Sequence, residues 1–179
     1  MATADTSTAA PKPPPVDATN GELVRWAFDV INTHDVEPLK PMWADAVEYF
    51  PGLTAHGPEE IAAYFNASFA AMPDFRLEIL GMAEQGENVL VRWRADGHFT
   101  GAHFQGFAAT GAATQINGCD HFVIRDGQVV TNHVVIDQLD FARQIGMMPP
   151  DGSIADRALK TAFNAKTLAL SKLRRGEGS

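Results

Sequence analysis

The chain has 179 residues, 45% of them hydrophobic, which is enough for one folded domain with terminal extensions. A formal net charge of −8 argues against a nucleic-acid partner, because phosphate binding requires clustered Lys and Arg. The single cysteine, Cys119, excludes a disulfide framework, and no apolar run approaches the length of a membrane span. With no signal-peptide pattern at the N-terminus, we expect a cytoplasmic protein.

The N-terminal half predicts a leader followed by helices. Residues 1–18 are small, polar and rich in proline, a composition typical of a disordered leader. Thr19 or Asn20 can cap a first helix, whose apolar residues follow helical spacing. A short helix, a short strand and a further helix are then expected at residues 36–43, at residues 47–50 and from residue 57 onward.

From Phe75 the apolar pattern alternates with a period of two, which predicts a run of strands. Helices followed by strands indicate an α+β fold, in which helices pack on the concave side of a cone-shaped, curved antiparallel sheet. A short helix at residues 138–146 and a last helical segment complete the chain. We therefore divide it into a leader (1–18), an α+β domain (19–150) and a C-terminal helical extension (151–179).

One predicted hairpin carries the first candidate site. Asp126-Gly127 supplies the positive φ angles of a two-residue turn, and counting outward from this turn places Asp120 opposite His133. Alternation then puts Asp120, His133 and Asp137 on one face among apolar neighbours, as an acid/base site would require. Two other interpretations stay open, since Asp120 and His133 can form a structural pair and Asp137 can cap the next helix. A shift of the register by one residue would reverse the faces.

A second candidate pair lies on a middle strand. Arg94 and Asp96 alternate onto one face, where they can act on a substrate or form a solvated ion pair. The opposite face of that strand carries Val89, Val91, Trp93 and Ala95, and that face can equally be the buried one. The residues that we expect to line a substrate pocket are Trp26, Tyr49, Phe65, Phe69, His98, Phe104, Phe122 and Val135.

The sequence gives no cofactor signature. No glycine-rich phosphate loop follows a strand, and the six histidines show no metal-binding spacing, so we expect neither a cofactor nor a metal ion.

Several short motifs, in this order, resemble the SnoaL-like polyketide cyclases of the nuclear-transport-factor-2-like superfamily. They are Ile31-Asn32-Thr33-His34-Asp35, Met72-Pro73-Asp74-Phe75, Glu87 to Trp93, Gly97-His98-Phe99-Thr100-Gly101, Asp126 to Val129, and Asp137 with Gln144-Ile145-Gly146. The resemblance implies a cone-shaped α+β fold and a cofactor-independent cyclase, isomerase or dehydratase for a small apolar carbonyl or polyketide-like substrate. It also implies that Asp137 is the general acid/base. The family's usual His-Trp pair falls on Asn132 and His133.

Two alternatives accompany this interpretation. Arg94, Asp96 and Asp137 are similar to the Arg-x-Asp and Asp pattern of limonene epoxide hydrolases, although the positions that hold the water in those enzymes correspond here to Glu48 and Phe50. The third possibility is a binding or assembly module without catalysis. Under each of these three interpretations we expect a homodimer. It would form through an outer apolar sheet face that carries Cys119, Val123, Val130, Val134 and Ile136.

Overall fold

A computed structural model describes residues 11–15 and 17–176, without the side chains of residues 172–176. Most of the predicted disordered leader lies outside the described residues. The elements are α1 (Asn20–Ile31), a 3₁₀ helix (Glu37–Trp43), β1 (Val47–Phe50), β2 (Leu53–His56), α2 (Gly57–Ala71), β3 (Arg76–Gln85), β4 (Asn88–His98), β5 (Ala113–Arg125), β6 (Gln128–Ile136), α3 (Gln138–Gln144) and α4 (Ile154–Gly176).

The predicted α+β fold is confirmed. The six strands form one curved sheet in the order β2-β1-β6-β5-β4-β3. The sheet is mixed, because β1 pairs with β6 in parallel while the other pairs are antiparallel. The 3₁₀ helix and α2 contact each other, and α1 packs against β3 and β4, so helices cover one face of the sheet.

Local sequence signals determine where the helices begin. Thr19 caps α1 and forms a capping box with Glu22, in which each side chain accepts from the other residue's backbone N–H. Pro58 occupies the first turn of α2, where its missing N–H removes no helical hydrogen bond. The apolar faces of these helices meet the sheet in one buried core that includes Val24, Ile61 and Val91.

The β5–β6 hairpin differs from the predicted register. Asp126 and Gly127 have φ angles of 48° and 75°, as expected for the turn, and Ile124 pairs with Val129. Val123, however, pairs with Thr131, so Val130 is an extra residue that forms a β-bulge. Beyond this bulge every residue of β6 is shifted by one position, and the predicted pairing is wrong there.

The two faces of β6 are exchanged as a result. Asp120 lies opposite Val134, and His133 lies opposite His121. Asn132, Val134 and Ile136 therefore point toward the helices, whereas His133 and Val135 point outward. The outer apolar face predicted for a dimer is wrong for Val134 and Ile136, which lie on the inner face.

The C-terminal helix predicted for the extension is present as α4, and Asp156 N–H donates to the hydroxyl of Ser153 at its start. Among the described residues, none of the helices combines the length and hydropathy that a membrane crossing requires.

Candidate active site

A cavity lies between the helices and the inner face of the sheet. Its volume is about 100 Å³. Its walls are mostly apolar, and the aromatic side chains that line it include Trp43, Phe50, Phe65, Phe104, Phe122 and Phe141. Such a cavity suits a small, largely apolar ligand.

Three polar side chains meet at the wall formed by the sheet. Glu48 comes from β1, Asp120 from β5 and Asn132 from β6, and each is at least 93% buried, with exposed fractions of 2%, 7% and 2%. The Asn132 side-chain amide donates to Oε2 of Glu48 at 3.3 Å and to Oδ2 of Asp120 at 3.4 Å. One amide thus links two buried carboxyl groups.

Asp120 has a second and shorter hydrogen bond. The indole N–H of Trp93 donates to Oδ1 of Asp120 at 2.8 Å. The Trp93 ring lies flat against Gly118, where an added Cβ would come within 2.2 Å of the ring. Gly118 therefore provides the space that allows the indole to reach Asp120.

The environment favours the protonated form of both acids. The pKa of Glu48 is raised to about 8, mainly by burial and then by the negative charge of Asp120, while the Asn132 hydrogen bond opposes the change. Burial also raises the pKa of Asp120 to about 7, against the hydrogen bonds from Trp93 and Asn132. The Tyr64 hydroxyl faces the same wall, where its burial and then the charges of Asp120 and Glu48 raise its pKa. Near neutral pH the carboxyl pair can therefore hold and exchange a proton.

The side-chain amide of Asn132 also leaves one acceptor free. Its Oδ1 is buried and has no hydrogen-bond partner within the part of the chain that the structure describes. A protonated carboxyl group or a hydroxyl group of a ligand can satisfy this atom.

Of the residues predicted from the sequence, the cavity is lined by Asp120, Phe65, Phe104 and Phe122. The other residues of the hairpin lie elsewhere. Asp137 caps α3 by accepting from the Asp140 backbone N–H at 3.0 Å, and it borders a separate surface cleft. The His133 ring stacks on that of Tyr49 on the outer face. Val135 is exposed on the same face, and the bulge at Val130 accounts for the positions of both His133 and Val135.

Arg94 and Asp96 lie on the outer face of β4. Arg94 forms ion pairs with Asp96 and with Glu78 of β3. All three side chains are more than one-third exposed. The buried face of β4 is the one with Val89, Val91, Trp93 and Ala95. Arg94 and Asp96 are therefore not among the residues that line the cavity, and the arrangement implied by the epoxide-hydrolase resemblance is not formed there.

Three predicted pocket residues have structural contacts instead. The Trp26 indole N–H donates to the Pro11 carbonyl at 3.1 Å. Phe69 is buried and stacks on His34. His98 is exposed and pairs with Asp74 at 2.6 Å. None of the three belongs to the cavity wall.

The sequence interpretation missed Glu48, Asn132 and Trp93 as site residues. The signal for Glu48 was its alternation with Phe50 in a short apolar strand, since a charged residue on a buried face is unusual unless it has a function.

Within residues 11–15 and 17–176 no group of His, Cys, Asp and Glu side chains is suited to a metal ion.

Comparisons with known proteins agree with this architecture. Residues 21–145 match the SnoaL-like polyketide cyclase family. No curated protein matches the chain significantly. Among solved structures, AclR of Streptomyces galilaeus, proposed to be a hydroxylase, superposes with a TM-score of 0.64 at 20% identity, over 72% of this chain and 96% of AclR. A protein of Jannaschia sp. CCS1, described as a SnoaL-like polyketide cyclase, superposes with a TM-score of 0.64 at 24% identity, over 73% and 93% of the two chains.

A third structure, IdmH of Streptomyces antibioticus, proposed to be a polyketide cyclase, gives a TM-score of 0.60 at 21% identity, over 70% and 97% of the chains. At these identities the solved structures establish the shared fold. The family match covers well over half of the sequence, and the chain belongs to the SnoaL-like polyketide cyclase family.

Proposed function

We propose that the protein is a cofactor-independent general acid/base enzyme in which Asp120 and Glu48 move protons on a small apolar carbonyl compound of polyketide type. The observation that carries this proposal is the pair of buried carboxyl groups, linked by Asn132, at the wall of an aromatic cavity. Acids with pKa values near the working pH are suited to transfer protons in both directions.

The hydrogen bonds give the two acids different roles. Asp120 accepts from both Trp93 and Asn132, and donors of this kind stabilise the carboxylate. Glu48 accepts only from Asn132 and has the higher pKa, about 8, so it retains a proton more readily. We therefore assign Asp120 as the base and Glu48 as the acid.

In the proposed step Asp120 takes a proton from the carbon next to a substrate carbonyl group. The electron pair of that C–H bond forms the carbon–carbon double bond of an enol, and the carbonyl oxygen receives the proton of Glu48. When a further carbon–carbon double bond is conjugated with the enol, Asp120 returns its proton to the far carbon, the enol proton passes back to Glu48, and the substrate is isomerised. When the enol carbon instead attacks a second carbonyl group, a ring closes, the new alkoxide oxygen takes the proton of Asp120, and the enol proton passes back to Glu48. The apolar walls restrict water, which strengthens both proton transfers.

The test is exchange of carbon-bound hydrogen in D₂O. The wild-type protein is incubated with a panel of aryl ketones and 1,3-diketones, and deuterium incorporation next to the carbonyl group is measured by mass spectrometry. We expect Asp120→Asn and Glu48→Gln each to slow the exchange by about 10²–10⁴-fold.

The matched control is Glu59→Gln, which removes an exposed carboxyl group of α2 that pairs with Lys40 on the surface. Its exchange rate should equal that of the wild type. Asp137→Asn separates the buried pair from the acid implied by the family resemblance. Exchange that survives Asp120→Asn but is lost in Asp137→Asn would refute the assignment, as would a wild-type protein that exchanges no member of the panel.

A further inference from the structure

The helix α4 exposes a wide apolar face. Every side chain from Arg157 to Leu170 is exposed, including Phe163 at 66% and Leu168 at 63%. At about 100° per residue, the Ile, Leu, Phe and Ala side chains of α4 are spread over about 220° of its circumference, an arc that also contains Thr161 and Lys166. A helix with a face of this width is normally packed against another surface.

Among the residues whose side chains the structure describes, the helix is held to its own subunit at its beginning. Asp156 is buried there, and its carboxyl group lies 2.6 Å from Lys160 Nζ and 3.8 Å from Arg143. Asp151 joins the same network by pairing with Arg143 and Lys160. Beyond this anchor the exposure of residues 157–170 shows that the domain of the same subunit does not cover the apolar face.

The family fold is complete without α4. The family match ends at residue 145, before α4 begins at Ile154. AclR is superposed over 96% of its own length, whereas 72% of this chain is used. The helix is thus an addition to the shared fold, and the acid/base cavity does not include it.

Charge is divided unevenly between α4 and the remainder of the chain. Six of the 14 Lys and Arg residues and one of the 22 Asp and Glu residues lie in Ile154–Gly176, which gives this helix a formal charge of +5. The remainder of the chain carries −13. The helix and the remainder of the chain therefore carry opposite net charges and attract each other.

From the uncovered face and this complementarity, we propose that α4 packs against the acidic domain of a second copy of the chain. Reciprocal packing of two such helices forms a closed symmetric dimer. An anionic lipid surface would also attract a cationic amphipathic helix, but it would repel the domain that carries the compensating negative charge. The second copy satisfies both the apolar and the electrostatic requirement.

The test uses the full-length protein in light scattering coupled to gel filtration. We expect the wild type to have twice the 19.3 kDa chain mass. The double variant Phe163→Gln with Leu168→Gln should have the monomer mass and unchanged circular dichroism, because both side chains are exposed in the subunit. The matched control, Asn164→Gln with Thr167→Gln, changes the polar side of the same helix and should remain dimeric.

Contact between subunits is tested by carbodiimide cross-linking of an equal mixture of ¹⁴N- and ¹⁵N-labelled protein. We expect mixed-isotope cross-links between Lys166 and carboxyl groups of residues 17–146. A monomeric wild type overturns the proposal, as does a dimer that the Phe163 and Leu168 substitutions leave intact. A monomer that sediments with vesicles of phosphatidylcholine and phosphatidylglycerol assigns the face to lipid instead. None of these outcomes depends on the acid/base chemistry of the cavity.

Discussion

Replacing Glu48 by glutamine should make the protein more stable at neutral and alkaline pH. Glutamine has nearly the same shape, and its amide oxygen can accept the Asn132 hydrogen bond that Glu48 accepts at 3.3 Å. It does not become negatively charged in a buried position. The substitution therefore removes the cost of ionising Glu48 while it preserves the packing.

The size and sign of the effect follow from proton linkage. The pKa of Glu48 is raised from 4.5 to about 8 in the folded protein, so the folded state binds this proton more tightly than the unfolded state does. The stabilisation from the bound proton is fully present below pH 4.5 and is lost as the pH rises toward 8, by about 1.4 kcal/mol per pH unit. Glu48→Gln should thus gain roughly 3 kcal/mol over the wild type at pH 7 and on the order of 5 kcal/mol above pH 8.

The assay is urea denaturation followed by circular dichroism at several values between pH 5 and pH 9. Glu59→Gln is the control, because this exposed carboxyl group should give a curve parallel to that of the wild type. The stability of the wild type relative to Glu48→Gln should fall steadily with rising pH and then level off. If the difference between the two proteins stays constant within about 1 kcal/mol across this range, Glu48 is not a buried acid with a raised pKa.

Two further substitutions test how Trp93 and Gly118 hold the hydrogen bond to Asp120 in place. Trp93→Phe removes the 2.8 Å indole hydrogen bond and should raise the pKa of Asp120 by roughly one to two pH units, because a hydrogen bond to a charged group contributes about 1.5–3 kcal/mol. An NMR titration of ¹³C-carboxyl-labelled aspartate measures this, and an unchanged midpoint would contradict the proposed role of Trp93. Gly118→Ala places a methyl group 2.2 Å from the Trp93 ring and should lower the free energy of unfolding by about 1–3 kcal/mol in urea denaturation. Equal stability of this variant and the wild type would show that the ring moves aside without cost.

Much of the fold could be predicted from local patterns. The capping box of Thr19 and Glu22, the proline at the start of α2 and the change to alternation at Phe75 each depend on neighbouring residues alone. The turn at Asp126-Gly127 is local in the same sense. The parallel pairing of β1 with β6 is not a local feature, because it joins Glu48 to Asn132 across 84 positions of the sequence.

The candidate site was predicted less well because its residues depend on one bulge. A register counted from the turn assumes that each residue of β5 has one partner in β6, and Val130 breaks that assumption. The sequence did contain an opposing signal. Val134 and Ile136 were assigned to the outer face and His133 and Asp137 to the inner one, although burial of the apolar pair is favoured. Weighing hydrophobicity against the turn count would have predicted the shift.

The electrostatic arrangement at Asp120 and Glu48 differs from that of a buried acid with a structural role. Neither carboxyl group has an ion-pair partner among the described residues, and the negative charge of Asp120 raises the pKa of Glu48. Asp156 shows the structural alternative, because its exposed fraction is also only 2% but hydrogen bonds from Lys160 and the Gly152 backbone, with the charges of Lys160 and Arg143, hold its pKa below the ordinary value. A pair of neutral amides would fill the space beside Asn132 without the cost of ionisation. Two acids that destabilise the fold at neutral pH, placed where an apolar cavity meets the sheet, therefore support the proposed transfer of protons to a ligand in that cavity.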